Sequence, residues 1–238
     1  MTDKQHSLIQ DAMAYCRRSL VPRILPLAAL ERGTAQVLAL EEGALLLYDP
    51  SFEGHVLCWD DENAARRLLR SFQAKELLMM EHVTLEEEAR QIHGFAGGMV
   101  CYSCAYLSGE PVPETLPVAL RLLSTADLPM VAAQHRSLGK EVLAYALREG
   151  RLFGGYMGEE LVGFIGVHDE GSLGMLYVLE LHRRRGYARA MEAQLINQRL
   201  QRGERVFGQI RVGNEASIAL HRSMGYAIAD TPGSWHWQ

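Results

Sequence analysis

No stretch of this sequence stays apolar for the ~20 residues that a bilayer-spanning helix needs, so no membrane span is expected. Cysteine is scarce, at four residues in 238, too few to staple a fold of this length, and the expected setting is a reducing cytoplasm. The opening MTDKQHSLIQ lacks the charged start, apolar run and cleavage site of a secretory signal, so none is expected. Charge of one sign is also missing. Lys and Arg number 24 against 29 Asp and Glu, and a net charge of −5 gives no field for nucleic acid or an anionic membrane. What remains is ordinary for a soluble globular chain: 48 % hydrophobic and 22 % charged residues, enough for one large domain or two of usual size.

Only Cys101 and Cys104, in CYSC, have a metal-like spacing, and no His pair stands at ligand spacing beside them. Their segment reads as a strand, on which positions three apart face opposite ways, so buried structural thiols are expected and no metal.

The first half alternates helix and strand patterns. A helix is predicted over Lys4–Arg18, then strands in TAQVLAL, ALLLYD and HVLCWD. An amphipathic helix follows in DENAARRLLRSF, acidic at its start and basic at its end, as the helix dipole favours. KELLMMEH reads as a buried strand, TLEEEARQIHGF as a helix capped by Thr84, and MVCYSCAYL as a further strand. SGEPVPETLP (108–117) holds three prolines and reads as a linker, which divides the chain into an N-terminal α/β domain with linker (1–117) and a second domain (118–238). The second domain opens on a strand, VALRLLS. Ser124 and Asp127 then form a capping box for STADLPMVAAQHRSL, and a helix in GKEVLAYALREG closes at Gly150. Three strands with tight turns at GEE and DEG lead to a helix from about Tyr187 to Arg202, with Tyr187, Met191 and Leu195 on one stripe. RVFGQIRV gives a strand, NEASIALHRSM a short helix, and GYAIADTPGSWHW a last strand pair. No internal repeat is visible.

The densest signal is LYVLELHRRRGYARAM (176–191), an apolar strand that stops at His182, Arg183, Arg184, Arg185 and Gly186 as a helix begins. A helix N-terminus presents unpaired N–H groups and a partial positive charge, which suit a phosphate. Gly186 leaves room for close approach, Ala188 keeps the next position small, and arginines add charge-assisted contacts to phosphate oxygens. On a mildly acidic protein, a local basic turn points to a small anion. A strand running into it offers backbone groups to the rest of a long ligand, and the pattern fits a pyrophosphate.

The order strand, R-x-x-G-x-A turn, helix, strand and Asn-x-x-Ser helix ending in MGY resembles the GNAT acyltransferase superfamily over residues 118–238. Arg183 to Ala188 match its Q/R-x-x-G-x-G/A loop, which in that family binds the pyrophosphate of acetyl-CoA; Arg189 follows in the same turn. The resemblance implies a mixed, mostly antiparallel sheet flanked by helices. It implies that Leu176, Tyr177 and Val178 pair with the pantetheine arm and that Asn214 contacts cofactor or backbone near the reacting centre. GSLGMLYVLELHRRRGYA, GQIRVGNEASIALHRSMGY and the SWHW tail are similar to the glycine N-acyltransferase-like branch, whose members carry an extra N-terminal α/β domain.

The implied activity is transfer of an acetyl group from acetyl-CoA to the primary amine of a small molecule, an amino acid if the branch resemblance holds, directly in a ternary complex. The chemistry needs a base for the ammonium, a donor for the oxyanion (a backbone N–H near Val178) and an acid for the thiolate. Where many members carry a tyrosine acid this chain has His221, either an acid or a helix-surface residue. Where others carry a glutamate base it has Ser172, no base at neutral pH, which leaves Glu170, Asp169, Glu180 and His182 as candidates acting through water. Tyr226, Trp235 and Trp237 read as sheet residues, and Tyr102, Tyr106, Met79 and Met80 as core or the lining of an acceptor cleft. Competing readings are a non-catalytic CoA-binding regulatory module and an interaction protein on a degenerate fold. Pairing of two chains stays open.

Overall fold

The computed structural model describes residues 3–74, 76–135 and 138–238, and its contacts divide the chain into two compact units. The division does not follow chain order. The first unit holds Met1–Tyr106 with Gln209–Arg222 and Tyr226–Gln238; the second holds Leu107–Gly208 with Ser223–Gly225.

In the first unit, α1 (Asp3–Arg18) carries Asp3 in its first turn and Arg17 and Arg18 in its last, the arrangement that the helix dipole stabilises. α2 (Ile24–Arg32) was not expected. Every residue from Ile24 to Leu30 is buried, so the segment has no polar face and no 3.6-residue pattern to read. Strands β1 (Gln36–Glu41), β2 (Ala44–Asp49) and β3 (Gly54–Trp59) form an antiparallel meander. The side chain of Asp61 accepts from the Asn63 N–H at 3.0 Å and starts α3 (Glu62–Leu69), which leads to β4 (Leu77–Met80), parallel to β3. Lys75, placed at the head of that strand by the sequence, lies outside the described residues.

Helix α4 (Glu86–His93) corrects one expectation. Its N-cap is Leu85 rather than Thr84 and has no side-chain cap bond, while Glu86, Glu87 and Glu88 place negative charge on the exposed N–H groups instead. β5 (Gly97–Tyr106) completes this run, with Cys101 and Cys104 both buried and, among the described residues, no cysteine in a disulfide. The end of the chain returns here. α8 (Glu215–Ser223) precedes β11 (Tyr226–Ile228), which pairs with β5, and β12 (Gly233–Trp237), which lies antiparallel between β4 and β5. The last two strands therefore pair with β5 and not with each other. Arg23, 1 % exposed, fixes the centre of this unit: both Glu81 carboxylate oxygens accept from its Nε, at 2.9 and 3.0 Å, and Asp60 accepts at 2.6 Å.

The second unit opens with residues 107–118, where Asn197 holds Val112 through both its amide groups, at 2.8 and 3.0 Å. After β6 (Ala119–Leu122), the Ser124–Asp127 capping box forms as expected, starting a 3-10 turn (Thr125–Asp127) that runs into α5 (Leu128–Gln134). Arg136 and Ser137 lie outside the described residues. Helix α6 (Lys140–Arg148) leads to β7 (Leu152–Met157), β8 (Glu160–Val167) and β9 (Leu173–Val178), which with β6 make an antiparallel sheet. Helix α7 (Tyr187–Gln201) then buries Met191 and Leu195, and β10 (Val206–Arg211) registers in parallel with β9 at Gly208 and Leu173. The architecture is the mixed, mostly antiparallel sheet with flanking helices that the sequence implied.

Candidate active site

β9 leaves the sheet irregularly. Its register against β8 slips by one residue between Tyr177 and Gly174, so Met175 and Leu176 together oppose Ile165, and Met175 has a φ of 52°. A β-branched or long side chain in the left-handed region is uncommon, and such bulges re-aim backbone groups out of the ladder. Nothing in the sequence marks it.

Past Val178 the chain makes a short 3-10 turn (Glu180–His182) and then a tight basic turn. Arg184 and Gly186 both have positive φ, 62° and 85°, and Gly186 is the N-cap of α7. That helix begins with no side-chain cap bond and no acidic residue in its first turn, so its own first turn supplies no carboxylate to its N–H groups and dipole. The arginines divide. Arg183 folds back, donating from Nε to the Val178 carbonyl at 3.3 Å and from Nη2 to the Tyr177 hydroxyl at 3.0 Å. Arg189 donates to the Ser223 carbonyl at 3.0 Å. Arg184 and Arg185 are exposed and make no hydrogen bond or ion pair among the described residues. Two unpaired guanidinium groups beside an uncapped helix start fit the charge and donor pattern of a pyrophosphate. The structure thus brings Leu176, Tyr177, Val178 and residues 183–189 into one strand–turn–helix.

Close packing sets that geometry. A Cβ on Gly163 of β8 would stand 2.4 Å from the Tyr177 carbonyl oxygen and 2.9 Å from Met191 Cε, and one on Gly155 would stand 2.4 Å from Met191 Sδ. An interior strand glycine commonly marks such a close approach. Gly163→Ala is expected to lower stability by about 2 kcal/mol, read as a fall in urea midpoint, because a backbone oxygen cannot yield as a side chain can. An unchanged midpoint would contradict the β8–β9 register.

The candidate bases are placed differently. Glu180 is exposed, and His182 faces Glu160 at 3.4 Å. Asp169 pairs with Arg151. Glu170 is not a solvated turn residue: at 8 % exposure the hairpin tip tucks it inward, where it accepts a hydrogen bond from Ser172, itself 1 % exposed at the head of β9.

Asn214 and His221 belong to the first unit. The Asn214 side chain accepts from the Ser217 N–H at 3.2 Å, capping α8. His221 is buried, which removes the helix-surface reading: its Nδ1 lies 2.8 Å from the Ser217 carbonyl and its ring meets Tyr226 edge-on at 4.8 Å. A carbonyl only accepts, so Nδ1 carries a proton, and only the imidazolium could give one from Nε2. Tyr226, Met79 and Met80 are core residues; Trp235 is 8 % and Trp237 39 % exposed. Among the described residues no group of three or more metal-ligating side chains forms a site.

Residues 153–235 match the family model described as FR47-like protein. No curated protein matches the sequence. A Drosophila protein of known crystal structure superposes with a TM-score of 0.63 at 18 % identity, covering 98 % of this chain and 96 % of that one. A protein assigned to the GNAT acetyltransferase family from Novosphingobium aromaticivorans gives 0.53 at 18 % identity, over 90 % and 95 % of the two chains. A GCN5-related N-acetyltransferase-like protein from Streptococcus suis gives 0.51 at 14 % identity, over 97 % and 100 %. The chain has the fold of GNAT N-acetyltransferases.

Proposed function

We propose that the protein is an acetyl-CoA-dependent N-acetyltransferase acting on the primary amine of a small molecule. The observation that carries this reading is the uncapped start of α7 beside unpaired Arg184 and Arg185, directly after a bulged strand. Gly186 and the first N–H groups of α7 receive the pyrophosphate, and the β9 edge from Leu176 to Val178 carries the pantetheine arm. The bulge turns a backbone N–H toward the thioester carbonyl, where an oxyanion develops. The amine nitrogen attacks that carbon, the C–N bond forms, the C–S bond breaks, and the CoA thiolate leaves and takes a proton. Solvent supplies that proton.

Glu170 is assigned as the base, with Ser172 as its link to the reacting ammonium. The amine's proton passes to the Ser172 oxygen while Ser172 gives its own proton to Glu170, so the hydroxyl is restored and the carboxyl is protonated. Burial and the hydrogen bond between the two support this role. Glu170→Gln is expected to reduce kcat about 100-fold with acetyl-CoA affinity retained. Ser172→Glu in that background should restore part of the turnover, since it places a carboxylate at the head of β9. Unaltered turnover in Glu170→Gln would sink the assignment.

The test of the whole reading is acetyl-CoA calorimetry followed by thiol release over amino acids, polyamines and short peptides. Binding with thiol release supports it. Binding without release for any amine supports the regulatory alternative, which the serine at the family's glutamate position motivates.

A further inference from the structure

Val178 turns its backbone to the outer side of β9. The Leu179 N–H donates to the Val162 carbonyl at 3.0 Å and Val178 registers with Gly163, so Leu179 faces β8 and Val178, one residue earlier, faces away from it. On that outer side β9 registers with β10 at Leu173, five residues before Val178. A carbonyl on such an edge is a ready acceptor for another extended chain. Here a side chain of the basic turn covers it. Arg183 Nε donates to the Val178 carbonyl at 3.3 Å, Nη2 donates to the Tyr177 hydroxyl at 3.0 Å, and the guanidinium lies 5.4 Å from the centre of the Tyr177 ring. Phe164 of β8 holds Tyr177 in turn, stacked on it at 5.5 Å.

Two features make this contact exchangeable. Both acceptors of Arg183 are neutral, whereas Arg121, Arg151 and Arg199 of the same unit are each held by a carboxylate. A phosphate brings the opposite charge that a carbonyl and a phenol lack, and it accepts two parallel bonds from one guanidinium. An anion beside Arg184 and Arg185 therefore draws Arg183 off both of its acceptors. The second feature is the backbone next to it. Arg184 has a φ of 62°, an uncommon conformation for a residue with a long side chain and one that recurs in segments that switch.

We propose that Arg183 is a latch on the edge of β9. Closed on Val178 and Tyr177 as in this structure, it is drawn to the pyrophosphate when that group binds at the turn, and its departure frees the Val178 carbonyl to accept from a pantetheine amide. The latch rests on the acetyl-CoA reading above and adds to it an order of events, phosphates first and pantetheine second. It also couples the two halves of the cofactor. Each half favours the open latch, so each binds more tightly once the other is in place.

The test is calorimetry of the full chain with acetyl-CoA and with two fragments of it, ADP and pantetheine. Saturating ADP is expected to tighten pantetheine about tenfold in the parent, and pantetheine to tighten ADP by the same factor. Arg183→Met keeps the stem and loses the donors. Pantetheine alone should then bind about tenfold more tightly than to the parent, and ADP should no longer improve it. Tyr177→Phe leaves every charge in place and removes one of the two acceptors, so pantetheine should gain about threefold with ADP binding no weaker. A purely structural Arg183 would make pantetheine bind more weakly in both variants, and that result overturns the latch. A parent that binds neither acetyl-CoA nor ADP removes the acetyl-CoA reading and the latch with it. Acetyl-CoA binding without coupling between the halves, pantetheine undetected beside ADP included, removes the latch alone.

Discussion

Gly186→Glu is expected to lower acetyl-CoA affinity by at least about 100-fold while the protein remains folded. Two costs combine. Gly186 sits at φ 85° as the N-cap of α7, a conformation that costs an L-residue about 1–2 kcal/mol, or roughly tenfold in an equilibrium constant. The space around it is otherwise permissive, since an added Cβ meets only Leu116 Cδ1 at 3.4 Å. The second cost is electrostatic. A carboxylate at the N-cap occupies the N–H groups and neutralises the helix end that a phosphate would use, and it repels the phosphate directly. Gly186→Ala separates the two, because it carries the strain without the charge and should lose about tenfold at most. Circular dichroism shows whether each variant is folded, and calorimetry reads the affinity. If Gly186→Glu binds acetyl-CoA within threefold of the parent, the phosphate is not held at this turn.

The turn was legible because its signals are local: a run of arginines, a glycine and the onset of a helical stripe all lie within residues 183–195. Most helices and strands were legible for the same reason, from periodicity, caps and turn residues. The failures have physical causes. Helix α2 is buried on every side, so it has no amphipathic pattern. Thr84 stands one residue too early because the glutamates that start α4 serve its N-terminus without a side-chain cap. β12 lies between β4 and β5 through pairings more than a hundred residues apart in the chain, which no local pattern encodes. At the candidate site, the bulge at Met175 depends on the β8–β9 register, and the inward turn of Glu170 depends on how one hairpin tip packs. The three carboxylate candidates, Asp169, Glu170 and Glu180, look alike in the sequence; the ion pair of Asp169 with Arg151, the burial of Glu170 and the exposure of Glu180 separate them.

The first unit is expected to lose several kcal/mol of stability between pH 6.5 and about pH 4, from three histidines that no catalytic role uses. His55, His93 and His236 lie in one row of rings: His55 stacks on Phe72 at 4.6 Å, Phe72 meets His93 at 4.9 Å, His93 meets Phe95 at 5.5 Å, and Phe95 stacks on His236 at 5.7 Å. His55 Nδ1, His93 Nε2 and His236 Nδ1 are buried without a hydrogen-bond partner, so a proton added to any of them would be unsolvated. Burial therefore lowers all three pKa values, to about 4 for His55 and His236, with His93 adding repulsion on both. Around His236, Glu86 favours the charged form and Arg90 opposes it. At pH 7 these imidazoles are neutral whether the chain is folded or not. Below about pH 6.5 the unfolded chain takes up protons that the folded chain refuses, so stability falls with pH until the folded value near 4 is reached. For His236, which is fully buried, the span corresponds to about 3 kcal/mol, a large share of the ~5–15 kcal/mol by which domains are stable. Glu81, whose pKa burial raises, shifts stability in the opposite sense as its carboxyl titrates. The histidine contribution is isolated by comparison: urea midpoints at pH 7, 6 and 5 for the parent and for His236→Asn, which stays neutral throughout. The parent should lose stability steeply, and the variant's slope should be smaller by up to about 1.4 kcal/mol per pH unit, the value for one proton. Parallel pH dependences in the two proteins would mean that the ring row admits a charge, and that water reaches these nitrogens in the folded state.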